Sequence, residues 1–125
     1  MNEFPSIEEV EILLEEIVEE VPKEFFKELN KGIILLPRYK LHPESRARDK
    51  LYIMGEYARD FSGRHITIYY GSYKRVYNGI SRKRLKGKLK DTLLHEFTHH
   101  LESLAGEKGL VIEDKEFLEK YRNKK

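Results

Sequence analysis

Apolar residues recur at Ile7, Val10, Leu13 or Leu14, Ile17 and Val21, with glutamates between them. That spacing marks one face of an α-helix. Ser6 stands three residues before Glu9, the arrangement of a capping box, and starts the helix. Pro22 interrupts it. Phe25, Phe26 and Leu29 predict a short second helix that ends near Asn30 and Gly32. The period then changes. Ile33 to Leu36 is a short apolar run stopped by Pro37 and reads as a strand, whereas residues 39–50 are polar, contain Pro43 and read as a loop. Leu51 to Ala58 and Arg64 to Tyr70 read as two further strands, the latter rich in β-branched and aromatic residues. Asp60-Phe61-Ser62-Gly63 between them is turn material, so the pair predicts a hairpin. Asn78-Gly79 is another turn. From Ser81 the helical period returns: Leu85, Leu89, Leu93, Phe97, Leu101 and Leu104 form one stripe, closed by Gly106 and Gly109. Val111 and Ile112 lead into a last helix from Lys115 to Arg122. The order of helices, a small sheet of about three strands, then helices is an α+β layout.

At 125 residues the chain fits one domain, 1–125, and no internal repeat divides it. It has no cysteine, which excludes disulfides, thiolate metal sites and cysteine nucleophiles. Any metal must be held by His, Asp, Glu or backbone. Charged residues make up 37% of the chain, yet the net charge is only +2. That balance argues against a dedicated nucleic-acid binder, which carries a basic excess on one face. The run from Arg82 to Lys90 holds six basic residues in nine and could contact phosphates. A solvated helix face, with Leu85 and Leu89 turned to the core, is the simpler reading. The amino terminus lacks a basic start followed by an apolar run, and no stretch approaches the ~20 apolar residues of a membrane span. These features predict a soluble cytoplasmic protein with no membrane partner.

Within the long helix lies His95-Glu96-Phe97-Thr98-His99, followed directly by His100. Four residues rotate a helix by ~400° and raise it by ~6 Å, so His95 and His99 leave the same side one turn apart. Two imidazoles so placed can share one Zn²⁺. Glu96 points ~100° further round the helix, beside the metal rather than on it. There a carboxylate can take the proton of a metal-held water, which is the logic of the HExxH pattern. A charged helix face with two solvated histidines is the plain alternative. The apolar stripe counts against it, because the stripe is rotated away from His95 and His99. A third ligand must come from elsewhere. Glu102 is on the same face but ~10 Å along the axis from His95. Chain that turns back after the helix offers Glu107, Glu113 and Asp114. Asp114 is the expected metal ligand, with an N-cap of the last helix as its structural alternative; Glu113 and Glu102 are reserves. His100 could support the ligands, contact substrate, or sit buried as a structural histidine, and it stands four residues after Glu96, within hydrogen-bond reach. Asp91 could orient His95, and a surface pair with a neighbouring lysine is the plainer explanation of it.

Ile66 to Tyr73, Thr92 to His100 and Ile112 to Leu118 together resemble the small bacterial zincin-like metallopeptidases, compact relatives of the metzincins whose pattern is similar to HExxHHxGxxD. The resemblance covers residues 33–120, and Leu51 to Tyr57 looks like the family's preceding strand. It implies a zincin-like α+β fold with His95 and His99 as zinc ligands and Glu96 as general base. It also implies that an edge strand bordering the cleft pairs with an extended peptide, here expected at Arg64 to Tyr70, with Tyr69, Tyr70 or His65 near the oxyanion. This sequence departs from the pattern at Glu102, where the family has glycine. Asp114 matches the family's aspartate only across an insertion.

These readings point to a zinc-dependent peptidase acting on a peptide or protein substrate. The alternatives are a zinc-binding module without turnover and, less supported by the charge balance, a nucleic-acid binder.

Overall fold

The computed structural model describes residues 3–108. Gly109, Glu113, Asp114 and the expected last helix lie outside the described residues. Helix α1 (Ile7–Glu20) begins at the expected capping box: the Ser6 hydroxyl accepts from the Glu9 amide, and the Glu9 carboxylate accepts from the Ser6 amide. It buries Val10, Leu13, Leu14 and Ile17. A 3₁₀ turn at Lys23–Phe26 stands where a short second helix is expected. Three strands follow, β1 (Gly32–Leu36), β2 (Gly55–Asp60) and β3 (Gly63–Tyr69), then α2 (Tyr70–Val76) and α3 (Arg82–Lys108). The architecture is α+β.

The sheet order is β1-β3-β2. β2 and β3 form the expected hairpin, with Asp60 paired to Gly63, while β1 lies parallel to β3 on its other side. Strand β3 is therefore central. Ile66 and Ile68 point from it into the core, where Ile33 and Leu35 join them from β1. Residues on one face of a strand recur every second position, so this register sets which side chains look toward α3.

The stripe Leu85, Leu89, Leu93, Phe97, Leu101 and Leu104 is buried along its whole length. Phe97 packs on Phe25 and Phe26, with ring centroids 5.9 and 4.9 Å away. The basic run at the start of α3 is met by the acidic face of α1. Arg82 pairs with Glu9 at 2.9 Å, Lys86 with Glu16 at 3.2 Å and Glu20 at 2.8 Å, and Lys90 with Glu20 at 3.1 Å. Hydrogen bonds from Lys86 and Lys90 hold the Glu20 carboxyl below its ordinary pKa.

Three expectations are corrected. First, the strand expected from Leu51 begins only at Gly55, because Leu51 to Ile53 pair instead with the segment around Leu41: His42 N–H donates to Leu51 O and Ile53 N–H to Lys40 O. Second, Tyr70, expected as the last residue of the third strand, instead opens α2, in which Tyr70 and Tyr73 stand at helical spacing. Gly71 permits this turn, since a Cβ there would lie 2.5 Å from the Tyr39 amide nitrogen. Third, of the two glycines expected to close the long helix, Gly106 does not, since the helix continues to Lys108; Gly109 lies outside the described residues. A single glycine costs a helix about 1 kcal/mol, but it stops one only where it takes up a left-handed backbone.

Candidate metal centre

His95 and His99 are exposed on α3, away from the buried stripe. Their rings converge: the two Nε2 atoms are 3.2 Å apart, the centroids 4.7 Å, and the planes stand 89° to each other. Two nitrogens on one tetrahedral zinc, each at about 2.0–2.1 Å, are separated by about 3.3 Å. The pair therefore fits two corners of such a site. Glu102 reaches the other ring nitrogen of His99, with Oε1 3.5 Å from Nδ1. Its geometry is that of a carboxylate that orients an imidazole from behind, not of a ligand beside Nε2. Among the described residues, no group of three or more His, Asp or Glu side chains gathers to hold a metal. Asp114, the expected third ligand, and its reserve Glu113 lie outside the described residues.

Beside the histidines is an open cleft of about 430 Å³, lined by Ile53, Met54, Gly55, Asp91, Thr92, His95 and Glu96. One wall is α3; the other is the start of β2 and the chain leading into it. Gly55 makes that wall possible. A Cβ there would sit 2.7 Å from Thr92 Cγ2 and 3.2 Å from both Ile68 Cδ1 and Thr67 O. Gly55→Val is expected to push β2 off α3 and lower stability by about 1–3 kcal/mol, the usual cost of overpacking. A thermal melt unchanged from wild type would contradict this close approach.

Glu96 is only 7% exposed. Burial pushes its carboxyl up to about 7, against the pull of His99 and a hydrogen bond from the Tyr57 backbone, with Glu56 adding repulsion. A carboxylate poised near neutrality can both accept and return a proton.

Behind Glu96 lies a polar chain that the sequence did not reveal. His100 is fully buried. Its Nε2 is 2.7 Å from the Lys27 carbonyl and its Nδ1 3.0 Å from the Tyr57 hydroxyl. A carbonyl only accepts, so Nε2 carries the proton and Nδ1 accepts from Tyr57. Arg64 completes the chain by donating to the Tyr57 hydroxyl at 3.2 Å and to Ser103 Oγ at 3.1 Å. Burial pushes the His100 pKa down, and the nearby Arg64 charge adds to this, so the ring is neutral as the network requires. His100 thus bonds to Tyr57 and Lys27 rather than to Glu96, and the structural reading of it holds over substrate contact.

The expected edge strand is also corrected. β3, which contains Arg64 to Tyr69, is central, and β2 is the strand that borders the cleft. The Tyr69 hydroxyl donates to Glu56 at 2.6 Å and the Tyr70 hydroxyl to the Pro5 carbonyl at 2.7 Å, so each already holds a protein acceptor. His65 sits in the central strand with Nδ1 buried and no hydrogen-bond partner among the described residues. Gly55 was detectable in advance, since a glycine inside a strand pattern marks a close backbone approach. Tyr57 and Arg64 gave no such signal.

No known family profile matches the chain, and no curated protein matches it. Among solved structures it is similar to a conserved hypothetical protein from Thermo thermophilus. The two are 33% identical, the match covers 82% of this chain and 99% of the other, and the TM-score is 0.68. The two proteins belong to one family. The Thermo thermophilus family member supports the α+β architecture.

Proposed function

We propose that this family member is a zinc-dependent metallopeptidase with a zincin-like fold. The observation that carries the reading is the convergence of His95 Nε2 and His99 Nε2 beside a half-open cleft, with Glu96 buried next to them. His95 and His99 would hold the ion through Nε2, Glu102 would orient His99, and Asp114 is the proposed third ligand. When bound, zinc supplies Lewis acidity toward a peptide carbonyl and a water molecule. Glu96 takes a proton from the attacking water and returns it to the leaving amine, a transfer suited to its raised pKa. The outer edge of β2 pairs with no other strand among the described residues, and an extended peptide can add to it beside Glu96. The acidic partners of the α3 basic run favour a peptide over nucleic acid. No described helix is long and apolar enough to cross a membrane, and a cytoplasmic setting completes the reading.

A second reading, a zinc-binding module without turnover, draws on one observation: only two donors converge among the described residues. Glu96→Gln separates the two. A peptidase loses chelator-sensitive hydrolysis of a peptide library by at least about 10²-fold, the scale of general acid–base catalysis, while its zinc content is retained. Hydrolysis undiminished in Glu96→Gln would remove Glu96 from the chemistry. Absence of any chelator-sensitive hydrolysis by the wild type would favour the module.

A further inference from the structure

The chain that enters the cleft wall at Ile53 arrives from a tied-down basic loop. Residues 40–42 and 51–53 pair across it, with Leu41 bridged to Tyr52. Inside the loop, Leu51 N–H donates to Ser45 Oγ at 3.0 Å, Ser45 N–H to His42 O at 2.9 Å, and Arg46 and Asp49 exchange backbone bonds at 3.1 and 3.2 Å. At its base, Tyr39 packs edge-on against Tyr52 with centroids 5.8 Å apart, and the Arg75 guanidinium lies 4.2 Å over the Tyr39 ring. Arg46, Arg48 and Lys50 are all exposed on this frame. No ion pair engages any of the three among the described residues, whereas Arg82, Lys86 and Lys90 of the α3 run are met by α1 and Lys40 is met by Glu56 at 2.8 Å.

We propose that Arg46, Arg48 and Lys50 form a docking surface for an acidic stretch of the peptide substrate, on one side of the bond held over Glu96. This rests on the peptidase reading and adds a substrate class to it. Lys50 is three residues from Ile53, so the two lie at most about 11 Å apart. A substrate extended along the same edge covers that distance in about three or four residues. A peptide fits better than a nucleic acid on two counts. Arg75 and Tyr52 already occupy Tyr39, so this aromatic pair is not the open platform on which bases stack. Asp49 also lies between Arg48 and Lys50, and Glu44 stands two residues before Arg46. A strand with a phosphate at every residue meets them, whereas spaced carboxylates can pass between them.

The test uses full-length protein, two fluorescent peptides identical but for Glu and Asp changed to Gln and Asn on one flank, and the triple variant Arg46→Glu, Arg48→Glu, Lys50→Glu. Anisotropy at low and high salt reads binding, and mass spectrometry reads chelator-sensitive cleavage. The acidic peptide is expected to bind the wild type about tenfold tighter than its neutral twin, to lose that margin in high salt, and to lose it in the triple variant. Circular dichroism confirms that the triple variant is folded, as expected for substitutions at exposed positions. Equal affinity for both peptides, or a preference that survives in the folded triple variant, overturns the proposal. So does tighter, steeply salt-dependent binding of single-stranded RNA. Preference without cleavage of either peptide supports the docking surface and counts against the peptidase reading alone.

Discussion

His99→Ala is expected to abolish stoichiometric zinc binding. Among the described residues, His95 and His99 supply the only pair of ring nitrogens placed together on α3 at the separation a shared cation requires. A lone histidine on a solvated helix face keeps little of that affinity, because the second nitrogen no longer closes the chelate. The loss should exceed the ~10–100-fold typical of removing a group that only supports a ligand. Elemental analysis of the wild type beside the variant reads it directly. His42→Ala is the control, being an exposed histidine in the loop far along the chain from the pair. Glu102→Gln should fall between, since its carboxylate touches the Nδ1 side of His99. Equal zinc in wild type and His99→Ala would dismantle the site, whatever the fold.

His100→Ala is expected to have the largest effect on stability, about 3–5 kcal/mol, although the neighbouring His99 is dispensable to the core. Two costs add. The side chain is fully buried, so its removal leaves a cavity. It also removes the acceptor of the Tyr57 hydroxyl proton and the donor to the Lys27 carbonyl, and a lost hydrogen bond costs about 0.5–1.5 kcal/mol. The midpoint of urea unfolding measures the sum. Tyr57→Phe, which removes one hydroxyl and leaves the ring, should cost less than His100→Ala. A His100→Ala midpoint close to wild type would mean that water or a neighbour fills the place of the ring.

The helices and their faces were legible because their signals are local. The capping box at Ser6 and Glu9 and the six-membered stripe on α3 both follow from short-range periodicity, and both are present. The alignment of His95, Glu96 and His99 was legible for the same reason, since one turn of helix is enough to set it. What escaped depends on contacts distant in sequence. The parallel pairing of β1 with β3 puts Arg64 to Tyr69 in the middle of the sheet, and no local pattern distinguishes a central strand from an edge. The role of His100 depends on Lys27 and Arg64 arriving from other elements. α2 was hidden because tyrosines favour strands as well as buried helices.

The long helix is fastened differently at its two ends. Its first turns share the core with α1 through Leu85 and Leu89 and carry exposed ion pairs along the rim, while the stretch with the histidines is anchored by Phe97 against Phe25 and Phe26 and by the polar chain through His100. Counter-ions weaken the ion pairs and hardly touch the rest. Rising ionic strength should therefore loosen only the rim of the α1–α3 seam, leaving its leucines and the metal-facing turn in place.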